Sequence, residues 1–251
     1  MITDLVDVAD VPALGHEEAM RLAATEYDRL LGLVDQLSPD EWSQPTDCTG
    51  WDVKAVLSHL LGFMKLNADP AEAARQAAIA SRVAQEQGIL RLHAQTALHV
   101  REHAHLSPEE VAAELREWAS RALAGRVETT AEQRQAAYPT GLPGEGAWTR
   151  GYLLDVVLTR DQWMHRVDVC RATGRHMLLT PEHDGKIVAN VVADWAHRHG
   201  QPFTLRLDGA AGGAFATGND GPEIRLDAVE FCRILSGRDA GSGLLTTFVP
   251  F

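Results

Sequence analysis

His59 and the segment Asp161-Gln162-Trp163-Met164-His165 carry the residue types and spacing best suited to chemistry in this chain. Positions i and i+4 of an α-helix project from one face, so Asp161 and His165 can offer an oxygen and a nitrogen to one ligand. His59 lies in Gly50-Trp51-Asp52-Val53-Lys54-Ala55-Val56-Leu57-Ser58-His59-Leu60, on a different predicted helix. A donor from that helix would complete a set of two nitrogens and one oxygen. Three protein donors with an open fourth position is the pattern of a catalytic divalent cation, zinc first.

Each residue also has a plainer reading. Leu154, Leu158, Asp161, His165, Asp168 and Ala172 form one stripe of the predicted helix. Burying its acids and histidine is costly unless they are paired or bound to metal. The alternative is a surface helix whose inward face runs through Leu153, Val157, Met164 and Val167, and the stripe alone weighs both equally. Asp168, three residues after His165, can accept the free imidazole N–H. Its alternative is a salt bridge to Arg166 or Arg171. His99 and His103 form a rival His-x3-His pair, with His93 and His105 nearby, but the polar surroundings (Arg91, Arg101, Glu102) point to a solvated face. Cys48 reads as a buried small hydrophobe. The chain has no P-loop, no GxGxxG after a strand and no GxSxG.

The elements that must position these groups follow from periodicity. Met20, Ala23, Tyr27, Leu30, Leu31, Val34 and Leu37 predict a helix over 16–37. Ser38-Pro39-Asp40-Glu41 is a capping box opening a short helix. A second long helix is expected from Asp52 to Leu66, facing inward through Val53, Val56, Leu57, Leu60 and Met64. Residues 71–104 read as Ala-rich helix broken near Gly88, and Ser107-Pro108-Glu109-Glu110 caps another helix. After a Gly/Pro-rich loop at 139–146, a fourth long helix spans 150–172 and stops at Gly174. Beyond 175 the pattern changes. A helix begins at Thr180-Pro181, strands are expected at 203–207, 214–217 and 224–226, a helix at 229–235, and a closing strand at 244–251. The chain thus divides into a helical bundle over 1–175 and a small α/β unit over 176–251, an α+β class.

Composition limits the function. The chain has 251 residues, 45% of them hydrophobic and 23% charged, ordinary for globular domains. A net charge of −12 argues against nucleic acid as a partner, which favours a basic surface. No apolar run reaches the roughly 18 residues of a membrane span. Met1-Ile2-Thr3-Asp4 lacks the start of a signal peptide. Cys48, Cys170 and Cys232 are odd in number and widely spaced, as expected of reduced thiols in the cytoplasm.

Three stretches together resemble one family. Pro45-Thr46-Asp47-Cys48-Thr49-Gly50-Trp51-Asp52-Val53 leading into Leu57-Ser58-His59-Leu60 is similar to the first motif of the mycothiol-dependent maleylpyruvate isomerase family, within the DinB-like superfamily. Asp161 to Asp168, with Arg171-Ala172-Thr173-Gly174, is similar to the second. Glu230 to Arg238, followed by Val249-Pro250-Phe251, is similar to the end of those proteins.

The resemblance implies a DinB-like four-helix bundle holding a divalent metal, zinc, and a smaller sterol-carrier-like α/β domain. It implies His59, Asp161 and His165 as metal ligands, with Asp161 standing where the isomerase that names the family has glutamate. It matches Arg238 to an activity-bearing arginine of the C-terminal domain, which would bind thiol or substrate. It implies mycothiol, a low-molecular-weight thiol, as cosubstrate for a small electrophile. Isomerisation and S-transfer remain alternative outcomes. A metal hydrolase, with Asp168 as the nearby base, and a non-catalytic binding protein are the competing classes. The oligomeric state is not legible.

Overall fold

The structure, a computed structural model, describes residues 5–140, 142 and 145–251. Met1–Asp4, and Gly141, Pro143 and Gly144 of the expected loop at 139–146, lie outside the described residues. The fold is α+β and divides into two compact units: His16–Arg175, and the residues up to Gly15 with His176–Phe251. Among the described residues no helix is long and apolar enough to cross a membrane.

In the helical unit, α1 (His16–Val34), α2 (Val53–Ala68), α5 (Pro108–Val127) and α7 (Leu158–Thr173) form a ring in which α1 packs on α5, α5 on α2, α2 on α7 and α7 on α1. α3 (Pro70–Gln87) and α4 (Arg91–His103) pack on each other and on α2. The short α6 (Ala131–Gln135) precedes a two-stranded ribbon of β2 (Ala137–Tyr138) and β3 (Trp148–Thr149); β1 (Leu5–Asp7) belongs to the other unit.

Local chemistry sets the helix ends. Asp52 caps α2 through Oδ1, which accepts from Ala55 N at 2.8 Å. Ser107 and Glu110 close the expected capping box of α5. Gly88 ends α3 and Gly174 ends α7, both left-handed, at φ 64° and 67°. The Ser38–Glu41 box forms as well, but the helix it opens is a 3-10 turn, Pro39–Ser43.

Two features of this unit departed from pattern. Tyr152–Val157, just before α7, is π-helical rather than α-helical, with Leu158 N donating to Leu153 O. α7 is buried on nearly every side, so both stripes read from its sequence face protein, and Asp161 is only partly exposed. Such a helix carries more buried charge than an amphipathic one. Arg166 accordingly grips the fully buried Glu26 of α1, with Nε–Oε2 at 3.0 Å and Nη2–Oε1 at 2.9 Å.

Gly62 lets α4 approach α2. A Cβ there would lie 2.3 Å from Cγ of His99. Overpacking of this kind typically costs about 1–3 kcal/mol. Gly62→Ala should therefore lower the melting temperature by roughly 2–10 °C in a thermal scan, and an unchanged value would mean that α4 yields freely.

The other unit is a four-stranded mixed sheet in the order β1-β5-β4-β6, from β1 (Leu5–Asp7), β4 (Phe203–Asp208), β5 (Gly213–Thr217) and β6 (Glu223–Asp227). β4 pairs antiparallel with β5 and parallel with β6, so Leu205 faces Phe215 on one side and Ile224 on the other. α8 (Asp184–His199) and α9 (Ala228–Leu235) pack on the sheet. Trp195 of α8 centres the core, 4.7 Å from the Phe203 ring and 5.3 Å from Phe231.

Residues 5–15, expected with the helical bundle, lie in this unit because Leu5–Asp7 adds a parallel edge strand to β5. The strand expected at 244–251 does not form. Gly243–Thr246 is a 3-10 turn, and the backbone beyond is satisfied singly, with Val249 N donating to Leu235 O at 3.0 Å.

Candidate metal centre

The loop before α2 is built to hold two side chains in place. Pro45 bridges Asp52, Thr46 N and Oγ1 both donate to Trp51 O, and Trp51 N donates to Cys48 O. Gly50 takes φ 81°, which favours glycine. The result fixes Cys48 and Trp51 beside the first turns of α2.

His59 projects from α2, 2% exposed. Its ring lies 5.2 Å from Trp51, 4.9 Å edge-on from Phe63, 5.5 Å from His99 and 5.0 Å from His165. On α7, the i, i+4 pair turns toward it. Asp161 Oδ2 is 3.6 Å from His59 Nε2, and Asp161 Oδ1 is 3.4 Å from His165 Nε2. One donor atom from each of the three residues lies within 4.8 Å of the others.

Behind this set, His165 Nδ1 lies 2.9 Å from Asp168 Oδ2. A carboxylate can only accept there, so Nδ1 carries the proton and Nε2 faces Asp161 and His59. The Cys48 thiol also reaches Asp168 Oδ2, at 3.2 Å. Cys48 is thus half-buried and polar-bonded, not the buried hydrophobe that its sequence suggested.

The electrostatics are those of a compact charge cluster. Burial opposes ionisation of Asp161, yet His165 and His59 outweigh it and hold the carboxyl far below the usual carboxylate range. Burial likewise opposes charge on His165. Asp161, then Asp168 and Cys48, overcome this and push its imidazole well above the ordinary value.

The rival histidines do not lie on a solvated face. His99 and His103 are buried, with His99 against Gly62 of α2 and Gln76 of α3, while Arg101 on the same helix is exposed. His99 Nε2 meets Gln76 Oε1 at 2.8 Å, and His103 Nδ1 meets His99 O at 2.7 Å, with Lys65 Nζ 3.0 Å from its Nε2. Burial, then the neighbouring His59 and His103, hold His99 well below the usual histidine range. Among the described residues neither belongs to a cluster able to hold a metal.

Arg238 belongs to the other unit. It follows Gly237 (φ 81°) at the end of α9, half-buried, its N donating to Arg233 O at 2.9 Å. Trp51, Phe63 and His99 around His59 were not read from sequence as parts of the site. Only the closeness of Trp51 and Phe63 to His59 in the chain hinted at the first two.

A family model described as the mycothiol maleylpyruvate isomerase N-terminal domain matches residues 23–170. Among solved structures, the chain is similar to a crystal structure of the mycothiol-dependent maleylpyruvate isomerase, with a TM-score of 0.59 at 14% identity, covering 95% of this chain and 94% of that one. A histidine-to-alanine mutant of that isomerase has the same score and identity, over 94% and 93%. These likenesses are of fold. No curated protein matches the sequence.

Proposed function

The chain belongs to the mycothiol maleylpyruvate isomerase N-terminal domain family, and on that premise we propose that it is a metal- and mycothiol-dependent enzyme acting on a small electrophile, an isomerase of the maleylpyruvate type. The observation that carries this reading is the convergence of His59, Asp161 and His165 from two helices.

The donor set fits a cation on its own geometry. Ligand atoms about 2.0–2.1 Å from a tetrahedral zinc stand roughly 3.3–3.5 Å apart. The Asp161 carboxylate reaches His165 Nε2 at 3.4 Å through Oδ1 and His59 Nε2 at 3.6 Å through Oδ2, and one donor atom from each of the three residues lies within 4.8 Å of the others. Asp168 fixes the tautomer that frees Nε2, the usual arrangement behind a metal-bound histidine. Aspartate at 161, in place of glutamate, brings its carboxylate to both imidazoles. A divalent cation held here supplies the positive charge that lowers a thiol's pKa toward neutrality.

The protein's part is to bind, orient and exclude water. Trp51 and Phe63 pack against the His59 ring, their centroids 5.2 and 4.9 Å away. Arg238 is the proposed grip for anionic or polar groups of thiol or substrate, through a guanidinium fork. In the reaction the sulfur electron pair forms a C–S bond to the conjugated alkene, whose π pair moves to the carbonyl oxygen. Rotation about the new single bond and collapse of the enolate re-form the alkene, break the C–S bond and return the thiolate. An S-transferase would keep the thioether.

The test is turnover of maleylpyruvate by metal-loaded protein with and without mycothiol. Isomerised product only with thiol is expected. A stable thioether would mark a transferase, turnover without thiol a hydrolase, and no turnover a binding protein. Asp168→Asn should weaken metal affinity or activity by about 10–100-fold. Unchanged metal binding in a competition titration would make Asp168 a purely structural partner.

A further inference from the structure

A cleft of about 470 Å³ opens beside the metal cluster, within the helical unit. Phe63, whose ring edge meets His59, lines it, and so does Leu158, three residues before Asp161. Arg91, Gln95, Tyr138 and Arg150 also line it. Arg91 and Gln95 are four residues apart on α4, and His99, against His59, is four further on. One face of α4 thus runs from a cation, through an amide, to the cluster.

The charges of this cleft are not balanced by the protein. Arg91 lies 5.0 Å over the Tyr138 ring and meets Pro139 O at 3.5 Å, and among the described residues neither it nor Arg150 makes an ion pair. This is notable in a chain of net charge −12. Gln95 is buried, 5% exposed. Behind the wall, Arg126 is 1% exposed; its Nη2 donates to Leu154 O and to Thr159 Oγ1 (2.8 Å), while its Nε and Nη1 have no hydrogen-bond partner. No carboxylate of the described residues pairs with it. Glu128, exposed, is the single acid among the described lining residues. A buried cation without a counter-ion is costly in a folded protein, and a ligand anion in the adjacent cleft would offset that cost.

We infer that this cleft is the binding site for a small amphipathic organic anion, its apolar body against Phe63 and Leu158 and its carboxylate on Arg91 and Arg150. The assignment deepens the proposed function, since it gives the electrophile an anchor beside the cation and leaves Arg238 to the thiol, but it rests on that reading only for the ligand's reactivity. Binding itself is independent of turnover.

The experiment is calorimetric titration of the full chain, metal-loaded and chelator-stripped, with 4-phenylbutyrate and with its neutral amide. The carboxylate should bind at least about tenfold more tightly than the amide, in both metal states, and less tightly as salt rises. Arg91→Gln and Arg150→Gln should each weaken it by about tenfold, Arg91→Lys by less, and Arg116→Gln, on another surface, not at all. Equal binding of acid and amide, equal binding by the arginine variants, or no saturable binding at millimolar ligand overturns the inference. Loss of thiol-dependent turnover with arginine-dependent binding intact would overturn the proposed function instead.

Discussion

His59→Ala and His165→Ala should each abolish stoichiometric metal and, with it, thiol-dependent turnover, while the protein stays folded. Even an outer partner of a metal ligand is worth about 10–100-fold in affinity; removal of a donor should cost more. Metal analysis of dialysed protein, alongside circular dichroism, measures both. Full occupancy in both variants would exclude the cluster as the metal centre. The same centre should lose metal as pH falls. A ligand nitrogen must give up its proton, and His165 is held well above the usual histidine range by Asp161 and Asp168 despite its burial. Apparent affinity should therefore rise with pH through and beyond neutrality until the His165 proton is lost, then level.

The parts of this centre that are local in sequence were legible. The i, i+4 pair, the Ser107–Glu110 capping box and the Gly174 stop depend on neighbours within a turn or two. The facing of His59 toward Asp161 is a tertiary fact, since α2 and α7 meet only because the ring of helices closes, and spacing along the chain says nothing of that. His99 and His103 were misjudged for the same reason. What covers them, Gly62 of α2 and Gln76 of α3, lies 37 and 23 residues from His99, and the charges beside them in the chain say nothing of that packing. Leu5–Asp7 was too short for a periodic signal, and Leu244–Phe251 had the composition of a strand without a partner strand to pair with.

Glu26→Leu should destabilise the helical unit by about 3–5 kcal/mol. It leaves the Arg166 guanidinium, 2% exposed, without the carboxylate that it grips at 2.9 and 3.0 Å. Removing one partner of a buried pair exposes the full desolvation cost of the other, whereas replacing both by apolar groups of similar volume is often neutral or better. Glu26→Leu/Arg166→Met should accordingly recover most of the loss. Chemical denaturation reads both, and a single variant as stable as the unaltered protein would show that Arg166 finds another partner.

The π-helical turn at Tyr152–Val157 carries one residue more than an α-helix would need. Deleting a single residue there would let the segment close as ordinary helix and swing everything before it by roughly 100° about the axis. Asp161, His165 and Asp168 lie downstream and would keep their bearing on α2. A length change of one residue would thus exchange the side chains presented around Leu154 and leave Asp161, His165 and Asp168 in place. For a lineage acquiring new substrates, that is a cheap form of modularity: chemistry inherited on one half of a continuous helix, and selectivity revised on the other by insertion or deletion alone.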